Sequence, residues 1–99
     1  MTFETVIHGG TIVTAEGQFK GDIGIADGRI VAVSEKLDGG DTRIDAGGRL
    51  VMPGGIETHA HIAQESSSGV MTADDYLSGS ISAAFGGNSS FIPFAAQQR

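Results

Sequence analysis

Glu57, His59 and His61 alternate along the segment Ile56 to Ile62, and they are the residues best spaced to do chemistry. Successive side chains of an extended strand point to opposite faces, so this spacing predicts all three on one face, with Thr58 and Ala60 on the other. Two neutral imidazoles on one face can converge on a single divalent cation, and zinc is well suited to such nitrogen donors. His-X-His alone is a weak signal, because hydrogen-bonded strand histidines give the same pattern. Its position strengthens it: the motif ends the first strand of a predicted βα unit, and catalytic groups gather at the carboxyl ends of barrel strands. His59 and His61 are therefore the candidate metal ligands. Glu57 is assigned to orienting a neighbouring group rather than to holding metal.

Other polar residues read as structural. His8 lies far from the pair in sequence and has no partner at ligand spacing. Asp74-Asp75 opens a predicted helix, where adjacent acids are commonly cap residues rather than an acid/base pair. The glycine-rich stretches contain neither G-x-G-x-x-G nor G-x-x-x-x-G-K-[ST], so no nucleotide site is assigned. With no cysteine in the chain, any metal must be held by His, Asp, Glu or a modified side chain.

The elements that must position these residues fall into two parts. The first half reads as short strands, Glu4 to His8, Thr11 to Thr14, Asp22 to Ala26, Arg29 to Ser34 and Thr42 to Ala46, forming a small antiparallel unit. Asp27-Gly28 predicts a type I′ hairpin turn. Proline and two glycines in Leu50-Val51-Met52-Pro53-Gly54-Gly55 mark a domain boundary, dividing residues 1–50 from 51–99. A strand over Ile56 to Ile62 and a polar loop over Gln64 to Val70 follow. Next come a helix capped by Thr72 with Asp75 three residues on, and a strand from Asn88 to Phe94. Leu77, Ile81, Ala84 and Phe85 form one apolar stripe to be buried, Gly79 points to close packing, and Gly86-Gly87 closes the helix. Strand, helix, strand is a βαβ unit, which requires a parallel sheet or barrel.

Composition narrows the partners. The 99 residues carry 6 basic and 12 acidic side chains, a formal charge of −6, with no Lys/Arg cluster to meet a phosphate backbone, so nucleic acid is not an expected partner. No apolar run approaches the length of a membrane span, and Met1 to Gly10 lacks a signal pattern, giving a cytoplasmic expectation with no membrane partner. Sixteen glycines predict many turns and close backbone contacts.

Val51-Met52-Pro53-Gly54-Gly55-Ile56-Glu57-Thr58-His59-Ala60-His61 resembles the segment that opens the barrel in the amidohydrolase superfamily. Thr72-Ala73-Asp74-Asp75-Tyr76, Ala83-Ala84-Phe85-Gly86-Gly87 and Phe91-Ile92-Pro93-Phe94-Ala95-Ala96-Gln97 are similar to its hydantoinase and dihydropyrimidinase branch. The resemblance covers essentially the whole chain. It implies an α/β fold with a β-rich start: part of a β-sandwich over residues 1–50, then the first βαβ unit of a TIM (β/α)8 barrel.

The resemblance further implies that His59 and His61 bind one metal of a two-metal site, usually zinc, whose second metal shares a carboxylated lysine from a later strand. Neither Lys20 nor Lys36 fits that role, and no catalytic residue is assigned within this chain. The implied reaction is hydrolysis of hydantoins or dihydropyrimidines to N-carbamoyl amino acids by a homo-oligomeric parent enzyme, with the loop Ile62 to Met71 near the substrate entrance. Two departures stand out: Glu57 replaces the usual Asp, and Asn88-Ser89-Ser90 occupies a threonine-rich position. Rival readings are another cyclic amidase such as an allantoinase, and a non-catalytic interaction protein on the same fold.

Overall fold

The computed structural model describes residues 2–95, which leaves Ala96 and Gln97 of the last motif outside the described residues. The chain divides into two compact units, Met1–Pro53 and Gly54–Arg99.

The first unit holds β1 (Thr5–Thr14), β2 (Gly17–Ala26), β3 (Arg29–Ser34), β4 (Thr42–Asp45) and β5 (Leu50–Val51). The strand order is β3-β2-β1-β4, with β5 also on β1. The two hairpins are antiparallel, but β4 and β5 run parallel to β1, so the sheet is mixed rather than the antiparallel unit read from sequence. After β3 the chain passes to the opposite edge of β1, and a strand arriving there from such a connection can pair in parallel. Local hairpin signals carry no trace of that step.

The Asp27-Gly28 turn forms as expected, with φ of 52° and 68° and Ala26 paired to Arg29. The two short strands expected over Glu4 to His8 and Thr11 to Thr14 are one strand interrupted by a bulge: the register slips between Ile7, opposite Ile23, and Gly10, opposite Gly21. Gly9 sits in that bulge at φ 74°, where a Cβ is disfavoured. Strand β2 begins at Gly17 rather than Asp22, because Gly17 to Gly21 pair with the far half of β1. Most of that added stretch is exposed and lacks the alternation that marks a strand in sequence.

Phe3, Val6, Ile12, Ile23 and Ala46 form the small core, with Val6 fully enclosed. Among them lies one buried charged residue, Asp22, only 6% exposed. Its Oδ1 accepts the Gly9 amide at 2.9 Å and its Oδ2 accepts the Leu37 amide at 2.8 Å, so one carboxylate satisfies two backbone donors that no ladder reaches. The Leu37 and Gly9 amides, in that order, lower its pKa from the ordinary value of 3.8, against the opposing effect of burial. Its stabilising contribution is complete above that ordinary value and is lost as pH falls through the lowered folded-state value. Asp22→Asn keeps one acceptor oxygen and is expected to cost about 1–3 kcal/mol at pH 7. In urea unfolding across pH the gap to wild type should narrow on acidification, and a gap unchanged between pH 7 and strongly acidic conditions would refute this role.

The second unit contains β6 (Gly55–Ala60), α1 (Tyr76–Phe85) and β7 (Asn88–Pro93). Strands β6 and β7 pair in parallel, so the βαβ connection expected from sequence is present. The helix begins three residues later than its Thr72 reading: Asp75 is the N-cap, accepting the Ser78 amide at 2.8 Å, while Ser78 Oγ accepts the Asp75 amide at 3.1 Å. Serine supplies the reciprocal half of this capping box, a substitution that a search for Glu or Gln passes over. Thr72 instead holds the preceding loop, its Oγ1 accepting the Gln64 amide at 3.1 Å.

Gly79 is the one buried residue of α1. A Cβ there would lie 2.9 Å from Ile62 Cδ1 and 3.2 Å from Ile62 Cγ2, which accounts for glycine at a helix-interior position that disfavours it by about 1 kcal/mol. The Leu77, Ile81 and Phe85 stripe, whose pattern calls for cover by neighbouring elements, is 71%, 50% and 91% exposed. Two strands offer too narrow a surface to cover it.

Candidate metal centre

The His strand does not alternate as simply as its sequence suggests. Glu57 pairs with Phe91 and Ala60 with Pro93, so three steps on β6 match two on β7 and the register slips within the motif. A bulge of this kind re-aims side chains. Glu57 therefore lines, with Ala60 and Ile62, the cleft toward Gly79 and Ser82 of α1, rather than standing beside the two histidines as expected. Its carboxylate turns back along its own strand, where Oε1 accepts the His59 amide at 2.9 Å. The hydrogen bond that Glu57 makes here is thus to the backbone of His59, not to an imidazole ring.

His59 and His61 do come together. Their Nε2 atoms are 3.3 Å apart, and the ring centroids 5.1 Å apart at an interplanar angle of 65°. Both rings meet Phe94, just beyond β7. His61 stacks on it at 4.3 Å and 4°, and His59 meets it edge-on at 4.6 Å and 66°. The Phe94 amide donates to the Ala60 carbonyl at 2.9 Å, which carries the strand pairing one residue past β7 and fixes this aromatic ring.

His61 Nδ1 lies 2.8 Å from Gln64 Oε1. With Gln64 Oε1 as the acceptor, neutral His61 would carry its proton on Nδ1 and leave Nε2 as the lone-pair nitrogen on the side of His59. The space between the two Nε2 atoms can then hold one proton, donated by His59, or one cation. Two nitrogens coordinating a tetrahedral zinc at roughly 2.0–2.1 Å each stand about 3.3–3.4 Å apart, a spacing that the 3.3 Å between these two Nε2 atoms matches. Among the described residues no group of three or more His, Asp or Glu side chains gathers.

Gln64 and Phe94 were not legible as site residues. Gln64 reaches back to His61 because Ala63 takes φ 50° and the chain reverses there. Alanine carries no signal for that conformation. Asp75, tempting as an acid/base candidate with Asp74, is instead engaged in capping, and its pKa is lowered chiefly by the Ser78 amide and then by the Ser78 hydroxyl. His8 sits on β1 in the first unit, opposite Asp45 of β4.

The loop between β6 and α1 closes on itself. Glu65 bridges Met71, the Thr72 amide donates to the Gln64 carbonyl at 2.9 Å, and the Ser66 amide donates to the Val70 carbonyl at 2.8 Å. Between this loop, Tyr76 and Phe94 lies an open cleft of about 380 Å³.

No family model matches the chain. It is 38% identical over 96 residues to a D-hydantoinase of Ralstonia pickettii, covering 97% of this chain and 21% of that protein. It is 44% identical over 91 residues to a dihydropyrimidinase of Arabidopsis thaliana, covering 90% and 17% respectively. A solved D-hydantoinase structure superposes with a TM-score of 0.90 at 38% identity, over 98% of this chain and 21% of the other. The chain therefore spans about a fifth of the length of the proteins it matches.

Proposed function

Because the chain belongs to the hydantoinase/dihydropyrimidinase family, as the counterpart of its amino-terminal fifth, we propose that it supplies the first two metal ligands, His59 and His61, of a cyclic amidohydrolase. The observation that carries this reading is the 3.3 Å separation of the two Nε2 atoms, with His61 Nδ1 engaged by Gln64 on the far side of its ring. In this reading β6, α1 and β7 begin a (β/α)8 barrel over residues 51–99, and residues 1–50 begin a β-sandwich. The remaining ligands, among them a carboxylated lysine and those for a second zinc, come from later strands of a cytoplasmic, homo-oligomeric enzyme.

A divalent cation held there would acidify a water and polarise the carbonyl of a ring amide. The chain's own residues do the positioning. His59 and His61 would hold the cation at the carboxyl end of β6, Glu57 accepts the His59 amide, and the loop from Ile62 onward borders the cleft next to Phe94. Net reaction adds water across the ring C–N bond: the carbonyl carbon gains OH, the nitrogen gains H, and an N-carbamoyl amino acid results.

The test is ring opening by full-length protein loaded with zinc or manganese, with hydantoin, dihydrouracil and allantoin as substrates and a chelator control. Metal-dependent opening of hydantoin or dihydrouracil is expected. Preference for allantoin would move the assignment to an allantoinase, and no metal-dependent turnover on any of the three would leave a non-catalytic interaction protein.

A further inference from the structure

We infer that Gln64 is a positioning residue for the metal centre, holding His61 in the one tautomer and ring orientation that can accept a cation between the two histidines. The inference rests on the metal reading above and adds a residue to it. Neutral imidazole in water favours the proton on Nε2, the atom that must be bare to coordinate beside His59. An acceptor at Nδ1 reverses that preference, and Gln64 Oε1 lies there at 2.8 Å.

Gln64 is itself held. Its amide donates to Thr72 Oγ1 at 3.1 Å, its carbonyl accepts the Thr72 amide at 2.9 Å, and Thr72 Oγ1 donates onward to the Asp74 carbonyl at 3.2 Å. The left-handed turn at Ala63 and the bond from the Ala63 amide to the Asp74 carbonyl, 2.9 Å, fix the reversal that presents the side chain. Phe94, parallel to His61 at 4.3 Å, restrains the ring from rotating out of the plane in which Nδ1 meets Gln64 and Nε2 meets His59. Two restraints on one exposed ring leave little orientational freedom to be lost when a cation binds.

The test uses full-length protein, metal-free and labelled with nitrogen-15 histidine, at a pH where imidazole is neutral. Long-range proton–nitrogen NMR is expected to show His61 as the Nδ1–H tautomer in wild type and as the Nε2–H tautomer in Gln64→Met, which keeps length and volume but removes the oxygen. Gln64→Glu, which restores an oxygen acceptor, should restore the Nδ1–H form. Zinc affinity by chelator competition should fall about 10-fold in Gln64→Met and recover in Gln64→Glu. An Nε2–H tautomer in wild type, or an unchanged tautomer and affinity in Gln64→Met, would overturn the inference. A tautomer that responds as expected in a wild type that binds no zinc would instead overturn the metal reading, and with it the ligand-positioning role.

Discussion

Alanine at His59 or at His61 in the full-length protein is expected, on the proposed metal reading, to abolish metal binding at that site and to lower metal-dependent ring opening by at least roughly a thousandfold, since a catalytic cation would supply both the acidified water and the oxyanion stabilisation. Either substitution should cost nearly as much as the pair, because one remaining imidazole leaves the other donors around an ion they no longer position, and groups that act as a unit are not additive. Both rings are exposed, so stability should change by no more than about 0.5 kcal/mol. That separates loss of function from loss of fold. Metal content by elemental analysis decides the matter: a His59→Ala, His61→Ala protein with undiminished metal would remove both residues from the site.

The second large effect expected is that the 99-residue chain by itself is inactive. Two parallel strands cannot close a barrel that typically takes roughly 250 residues, and two imidazoles are fewer protein ligands than a catalytic zinc usually has. The helix stripe also lies open to solvent, with Phe85 91% exposed, and Ile56 on β6 and Ile92 on β7 are exposed as well. Purified alone, the chain is expected to self-associate and to open neither hydantoin nor dihydrouracil when zinc or manganese is added. Light scattering reads the first outcome and product formation the second. Metal-dependent multiple turnover would show that copies of the chain assemble a site between them.

The βαβ order, the Asp27-Gly28 turn and the convergence of His59 with His61 were legible because each depends on residues close in sequence. What escaped depends on partners far along the chain or on conformations that ordinary residues do not advertise. The parallel docking of β4 and β5 on β1 is a choice among edges that no local pattern encodes. Strict alternation placed Glu57 beside the histidines, yet a one-residue slip against β7 turned it away, and that slip is visible only once β7 is paired. Gln64 entered the site through a left-handed alanine. The capping box was displaced by one turn because Ser78, rather than a longer acid or amide, completes it.

The glycines that open β6 constrain the chain in another way, as a matter of descent. A side chain on Gly54 would run into Ser89, and one on Gly55 would meet Asn88 Oδ1 at 2.5 Å. Residues at the two ends of the unit therefore cannot drift independently. Position 89 may exchange one small polar residue for another only while position 54 stays bare, and any lineage that gains a side chain at 54 must first vacate the space opposite. The Asn88-Ser89-Ser90 departure from the threonine-rich pattern falls on this contact, where the tolerated changes are those that leave the glycines alone. Variation in this protein's descendants should thus arrive in pairs across β6 and β7, and the strand that carries His59 would inherit its opening backbone geometry from a neighbour outside the candidate site.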